Sequence, residues 1–138
     1  PDLATETPDL AAPADLTTAP DLTTPACGIG VIDTGRTSAS FVVGTATYFM
    51  MPRAFVCRDS TGLFAMTALC THAGCIVGVD GGAAFLCPCH GSRYDFAGVV
   101  LGGPAVLPLD HFAMCRTAMG TVGFDPSSIV KPTERYLF

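Results

Sequence analysis

The chain has no tryptophan and only three histidines in 138 residues. Charge is scarce too: Asp, Glu, Lys and Arg make up 14%, and the formal net charge is −5. Without a basic field there is nothing to hold a phosphate backbone, so nucleic acid is excluded as a partner. No run of about twenty apolar residues exists, so no segment reads as a membrane-spanning helix. Neither an initiator methionine nor a signal peptide opens the chain, which reads as processed or truncated at its start. No helical period stands out, and no paired-carboxylate, catalytic-triad or phosphate-loop arrangement is present.

What the chain does have is glycine (15), proline (11), cysteine (7) and a 49% hydrophobic content. That mixture favours short strands joined by tight turns over helices. Strand-like runs cover Gly28–Asp33, Ala39–Val43, Thr45–Met51, Ala54–Arg58 and Leu63–Ala68, with a hairpin turn at Asp59-Ser60-Thr61-Gly62. Ile76–Val79 and Ala83–Leu86 flank a second turn, Asp80-Gly81-Gly82, and further strands are expected near His111–Arg116 and Thr121–Phe124. The expected class is all-β. Met50, Met51, Met66, Met114 and Met119 fall on apolar runs and read as core. Asp95 and Asp110 read as solvated turn carboxylates, and His111 as a packed or surface residue of a strand.

Two regions are expected: a low-complexity tail over residues 1–26 and a folded domain over 27–138. The tail carries Asp2, Glu6, Asp9, Asp15 and Asp21 with no Lys or Arg, which accounts for the whole net charge. Its degenerate repeat (Pro1-Asp2-Leu3, Pro8-Asp9-Leu10, Ala14-Asp15-Leu16, Pro20-Asp21-Leu22) excludes helix and sheet interior and favours extended chain. The segment is similar to the stalks of some bacterial surface lipoproteins, so a lipid anchor outside this chain is the one expected route to a membrane. The repeated leucines offer anchors for contact with a partner or a second copy.

Seven cysteines point to an oxidising compartment, periplasm or cell surface. Four of them lie in two stretches, Cys70-Thr71-His72-Ala73-Gly74-Cys75 and Cys87-Pro88-Cys89-His90-Gly91-Ser92. Each stretch supplies one Cys and one His at ligand spacing, and Cys70, His72, Cys87 and His90 together can hold a metal centre. Cys75 and Cys89 are placed so that a direct bridge between the loops is open. Of the remaining cysteines, Cys57 and Cys115 sit in strand-like runs and are expected to pair, leaving Cys27 free or bonded to another molecule. Zinc accepts a Cys2His2 set as well, but it gives no role to Cys75 and Cys89. Haem attachment needs Cys-x-x-Cys-His, and Cys87-Pro88-Cys89-His90 is one residue short of it.

The two stretches, extended through Arg93 and Tyr94, resemble the boxes of high-potential Rieske iron–sulfur proteins from cytochrome bc-type complexes. Gly102-Gly103-Pro104-Ala105 is similar to that family's proline loop. Ala73 stands where Leu is usual, and the fourteen residues between His72 and Cys87 are slightly fewer than typical. The likeness runs from about Thr45 to Phe124 and omits the tail.

The resemblance implies a Rieske-type antiparallel β-sandwich with a small cluster-binding subdomain at about residues 69–105. It implies a [2Fe–2S] cluster with Cys70 and Cys87 on the inner iron and His72 and His90 on the outer one. Cys75 and Cys89 would then form a shielding disulfide, Ser92 would donate to a bridging sulfide, and Tyr94 to the sulfur of Cys70. Pro104 would cover a third side. Neutral imidazoles in place of two thiolates lower the repulsion on an added electron, and Rieske potentials span roughly −150 to +300 mV, the hydrogen bonds favouring the upper part. The expected function is an extracytoplasmic one-electron carrier that serves a cytochrome or an oxidase subunit. The alternatives are a surface-assembly protein using the domain as a module, and a subunit of a quinol–cytochrome c or arsenite-oxidase type of oxidoreductase.

Overall fold

The computed structural model describes residues 24–81 and 84–138. Expectations for residues 1–23 therefore lie outside the described residues. Ten strands follow one another: β1 (Ile32–Asp33), β2 (Thr45–Phe49), β3 (Ala54–Asp59), β4 (Gly62–Thr67), β5 (Gly78–Asp80), β6 (Ala84–Leu86), β7 (Arg93–Asp95), β8 (Val100–Gly102), β9 (His111–Arg116) and β10 (Val122–Val130). The one helical piece among the described residues is a 3-10 turn at Ser38–Ser40. Two sheets result, a six-stranded one in the order β1-β10-β9-β4-β3-β2 and a four-stranded one in the order β5-β6-β7-β8. Every pairing between named strands is antiparallel.

Strands β3 and β4 are apolar on both faces, which is what a strand buried from two sides requires. Phe55, Cys57, Phe64 and Met66 point into a core shared with Phe85 and Tyr94 of the smaller sheet and with Val77 and Leu109 from the segments beside it. Ala54, Val56, Leu63 and Ala65 point the other way, into a core with Phe41, Phe112, Met114, Phe124 and Tyr136. The six-stranded sheet rolls around that second core. Phe49 of β2 and Phe124 of β10 are four strands apart in the order, roughly 19 Å in a flat sheet, yet their ring centroids lie 6.2 Å apart.

Strands β4 and β9 pair only at Ala65↔Phe112 and Met66↔His111, then diverge. Two flanking segments fill the split, with Tyr136 bridged to Leu63 and Ala26 bridged to Arg116. Thr24 Oγ1 donates to the Leu137 carbonyl. Residues 24–26 and 136–137 thus lie beside the start of β4, while its other end, roughly 17 Å away along the strand, leads directly into Cys70.

Several expectations are corrected. Ala39–Val43 is a 3-10 turn and loop, because Arg58 donates to the carbonyls of Ser38 (2.9 Å) and Phe41 (3.1 Å) and caps the turn against β3. Met50, Met51 and Met119 are exposed on turns, and Met66 and Met114 alone are buried. Asp95 is a turn organiser, its Oδ1 accepting from the N–H groups of Ala97 and Val99, both at 2.9 Å.

The Cys57–Cys115 pairing is also overturned: Cys115 is bonded to Cys27, and Cys57 is a buried thiol. Cys57 lies on β3 and Cys115 on β9, with β4 between them, and two strand spacings of about 4.8 Å exceed the Cα separation a disulfide bridges. Cys27 reaches Cys115 across Gly123, where a Cβ would stand 2.7 Å from one sulfur and 3.0 Å from the other. Pro25 and Cys27 are fastened by backbone hydrogen bonds to Arg116 (2.8 and 2.9 Å), so the fold begins before residue 27.

Candidate metal centre

The two ligand stretches are built alike. In the first, Cys70 N–H donates to Cys75 C=O (2.7 Å) and Gly74 N–H donates to Cys70 C=O (2.8 Å). In the second, Cys87 N–H donates to Ser92 C=O (2.8 Å) and Gly91 N–H donates to Cys87 C=O (3.0 Å). Closing a six-residue loop this way needs a left-handed residue at its fifth position. Gly74 (φ 78°) and Gly91 (φ 81°) supply it. The first loop follows β4 and the second follows β6.

Inside these loops the donors separate by depth. Cys70 and Cys87 are buried free thiols. His72 and His90 are exposed, with ring centroids 4.8 Å apart and planes at 85°. Cys75 and Cys89 form a disulfide that joins the loops with Cα atoms 6.4 Å apart. Cys87 Sγ lies within 4.8 Å of both its sulfurs, so the bridge sits against that buried thiol.

Around the sulfurs lies a polar shell. Tyr94 is fully buried on β7, its hydroxyl 3.3 Å from Cys70 Sγ. Thr71 donates its N–H to the same oxygen (3.2 Å), and Thr71 Oγ1 lies 3.0 Å from it while donating to Leu107 C=O (2.7 Å). Burial pushes the Cys70 thiol up, but hydrogen bonds from Tyr94, the His72 backbone and the Cys87 thiol outweigh it and bring its pKa down to about 7. Burial, followed by the contact with Cys70, pushes the Tyr94 phenol up, so it stays a protonated donor. Ser92, also fully buried, accepts from Ala105 N–H at 3.1 Å. That bond leaves its hydroxyl hydrogen free to donate.

The third wall is the loop after β8. At Gly103 (φ 88°) a Cβ would stand 2.5 Å from Ser92 Cα and 2.8 Å from Gly91 C=O. Only a residue without a side chain lets this wall meet the second ligand loop. Pro104 follows at the surface. Thr71 and Gly103 are the two residues the sequence reading left without a role. Thr71 lay inside a quoted motif, yet its link to Leu107 depends on how separate loops meet.

The donor set fits a [2Fe–2S] cluster: two buried thiols for one iron, two exposed imidazoles for the other, and a buried hydroxyl with a hydrogen to give a sulfide. A lone zinc ion makes no use of the inner hydroxyl groups.

A family profile described as Rieske [2Fe-2S] domain matches residues 26–113. Among curated relatives, the cytochrome b6-f complex iron-sulfur subunit of Synechococcus sp. (strain RCC307) is 54% identical over 52 residues, 37% of this chain and 29% of that protein. The subunit of the same name from Prochlorococcus marinus (strain AS9601) is 57% identical over 49 residues, 35% of this chain and 28% of that one. The chain thus spans less than a third of the length of these relatives. Among solved structures, the ferredoxin of carbazole 1,9a-dioxygenase from Nocardioides aromaticivorans IC177 superposes with a TM-score of 0.51 at 22% identity, over 70% of this chain and 97% of that one, a likeness of fold. With the profile spanning both ligand loops and strands β1 to β8, the chain belongs to the Rieske [2Fe-2S] family, an electron-carrier family whose cofactor is a [2Fe–2S] cluster.

Proposed function

We propose that the protein is an extracytoplasmic one-electron carrier of high potential, with Cys70 and Cys87 on the inner iron and His72 and His90 on the outer one. The observation that carries this reading is the depth ordering of the donors: thiols buried, imidazoles side by side at the surface. When bound, the cluster supplies a one-electron couple. The residues around it do the rest. The two loops and their disulfide keep water from the thiols, while Tyr94 and Ser92 aim hydrogen bonds where negative charge accumulates on reduction. His72 and His90 offer the short path out of the protein. Two disulfides support a compartment outside the cytoplasm. The matches to b6-f iron-sulfur subunits favour a cytochrome-containing partner. They also keep open a role as the detachable subunit of a larger oxidoreductase.

A redox titration of the holo-protein with low-temperature EPR tests the reading. A reduced-state EPR signal at a positive midpoint is expected. A midpoint well below zero places the protein with low-potential ferredoxins. Loss of the signal on changing His72 or His90 to Cys or Ala, but not His111 to Gln, assigns the ligands.

A further inference from the structure

We infer that opening the Cys75–Cys89 disulfide turns the two loops into a site for a zinc-class divalent cation, held by the thiolates of Cys75, Cys87 and Cys89. The Sγ atoms of these three residues all lie within 4.8 Å of one another. Cys70 Sγ adjoins the group through its hydrogen bond with the Cys87 thiol, so a fourth sulfur stands at hand. In a tetrahedral zinc site with Zn–S distances of about 2.3 Å, neighbouring sulfurs stand about 3.8 Å apart. Cys87 therefore has at most about 1 Å to close on the other two. Residues 68–79 and 84–92 hold no carboxylate, so calcium and magnesium find no ligands here.

The sulfurs stay together without the bridge because other bonds hold the loops. Each loop is closed by its own pair of backbone hydrogen bonds, and Leu69 and Ile76 pair across the foot of the first. Thr71 Oγ1 ties that loop to Leu107 C=O (2.7 Å), while Gly103 lies against Ser92 of the second. Cys89 is exposed and Cys75 half-buried, so a reductant reaches the bridge from the Cys89 side.

Opening the bond takes two electrons and two protons from a dithiol, which leaves as its own disulfide. The cation then displaces the thiol protons to solvent. Thiolate-rich sets select thiophilic cations such as zinc. The bridge thus acts as a selector. Closed, it withdraws two thiolates and leaves Cys70, Cys87, His72 and His90. Open, it sets zinc in competition for Cys87.

The test titrates the full chain, freed of its cluster, with cobalt(II) and then zinc, before and after treatment with a phosphine reductant. The reduced chain should bind one cobalt with stronger thiolate-to-cobalt absorption, and zinc about tenfold or more tightly than the oxidised chain does. In the reduced chain, Cys75→Ser and Cys89→Ser should each weaken zinc by about tenfold or more, and His72→Ala and His90→Ala by less than about threefold. Dependence on His72 and His90 in the reduced chain places the metal in the Cys2His2 set and overturns the inference. Equal affinity in both redox states does the same. Cys57→Ala and Cys27→Ser separate a built site from chance capture by unfolded thiols. Losses in these two as large as in Cys89→Ser overturn the inference, and so does zinc that fails to raise the melting temperature of the reduced chain. The carrier reading fails separately, on absence of the EPR signal from the holo-protein.

Discussion

Tyr94 has one hydroxyl hydrogen and two acceptors within reach, Cys70 Sγ and Thr71 Oγ1. Thr71 spends its own hydrogen on Leu107 C=O, so it accepts from Tyr94 or leaves that hydrogen to the sulfur. As the sulfur gains charge on reduction, the charge-assisted bond wins. Tyr94→Phe should therefore lower the midpoint. A differential of about 1–2 kcal/mol corresponds to roughly 40–90 mV for one electron, read by the same titration. His111 poses a different problem. It is buried, stacked on Phe64 at 5.2 Å, and its Nε2 lies 2.6 Å from Ala97 C=O. A carbonyl only accepts, so Nε2 carries the hydrogen, and Nδ1 has no partner among the described residues. A second proton would sit in the core without an acceptor. Burial first, and Arg135 further, push the pKa of His111 down against the Ala97 bond and the carboxylates of Asp110 and Asp95. The unfolded chain therefore binds more protons than the folded one below the ordinary His range. This contribution to stability is complete above about pH 6.5 and is lost as pH falls below it. Thermal unfolding between pH 7.5 and 5 should show the fall, and it should flatten in His111→Gln.

At the level of elements, the loop after β8 and the segment before β1 each depend on one close approach. Gly103→Ala forces a Cβ against Ser92 Cα at 2.5 Å in a left-handed backbone. It should cost about 2 kcal/mol or more and lower the iron content per chain, measured by thermal melts and iron analysis. The Cys27–Cys115 disulfide spans 88 residues. Opening a loop of that length costs about 4 kcal/mol by the chain-entropy account, so Cys27→Ser should show that loss in urea unfolding. Its EPR signal should be unaltered, because the disulfide lies at the end of the sheet away from the ligand loops. Peptide mapping without reduction should find Cys57 as a thiol. It should be labelled only after unfolding, since burial pushes its pKa well up.

In the molecule as a whole, the two sheets divide the work. The six-stranded sheet holds Ala26 and Tyr136 at one end and delivers β4 into the first ligand loop at the other. The four-stranded sheet carries the second ligand loop. Phe55 on Phe85, at 4.8 Å between centroids, ties the two layers together.

The all-β class and the site motifs were legible in the sequence because both are written locally. Short apolar and β-branched runs between Gly-rich turns specify strands, and Cys-x-His with Cys-x-x-His within six residues specify ligand loops whose closure needs only their own glycines. The tertiary structure decided what distant segments do to one another. Cys27 pairs with Cys115 because β4 separates β3 from β9 and Gly123 leaves room for two sulfurs. Strands β7 and β8 form because Tyr94 and Val100 close over a shared core that no local pattern announces. Thr71 and Gly103 acquire their roles where three loops meet. Spacing along the chain encodes contacts within a loop, but contacts between loops depend on sheet order and register, which only the folded chain determines.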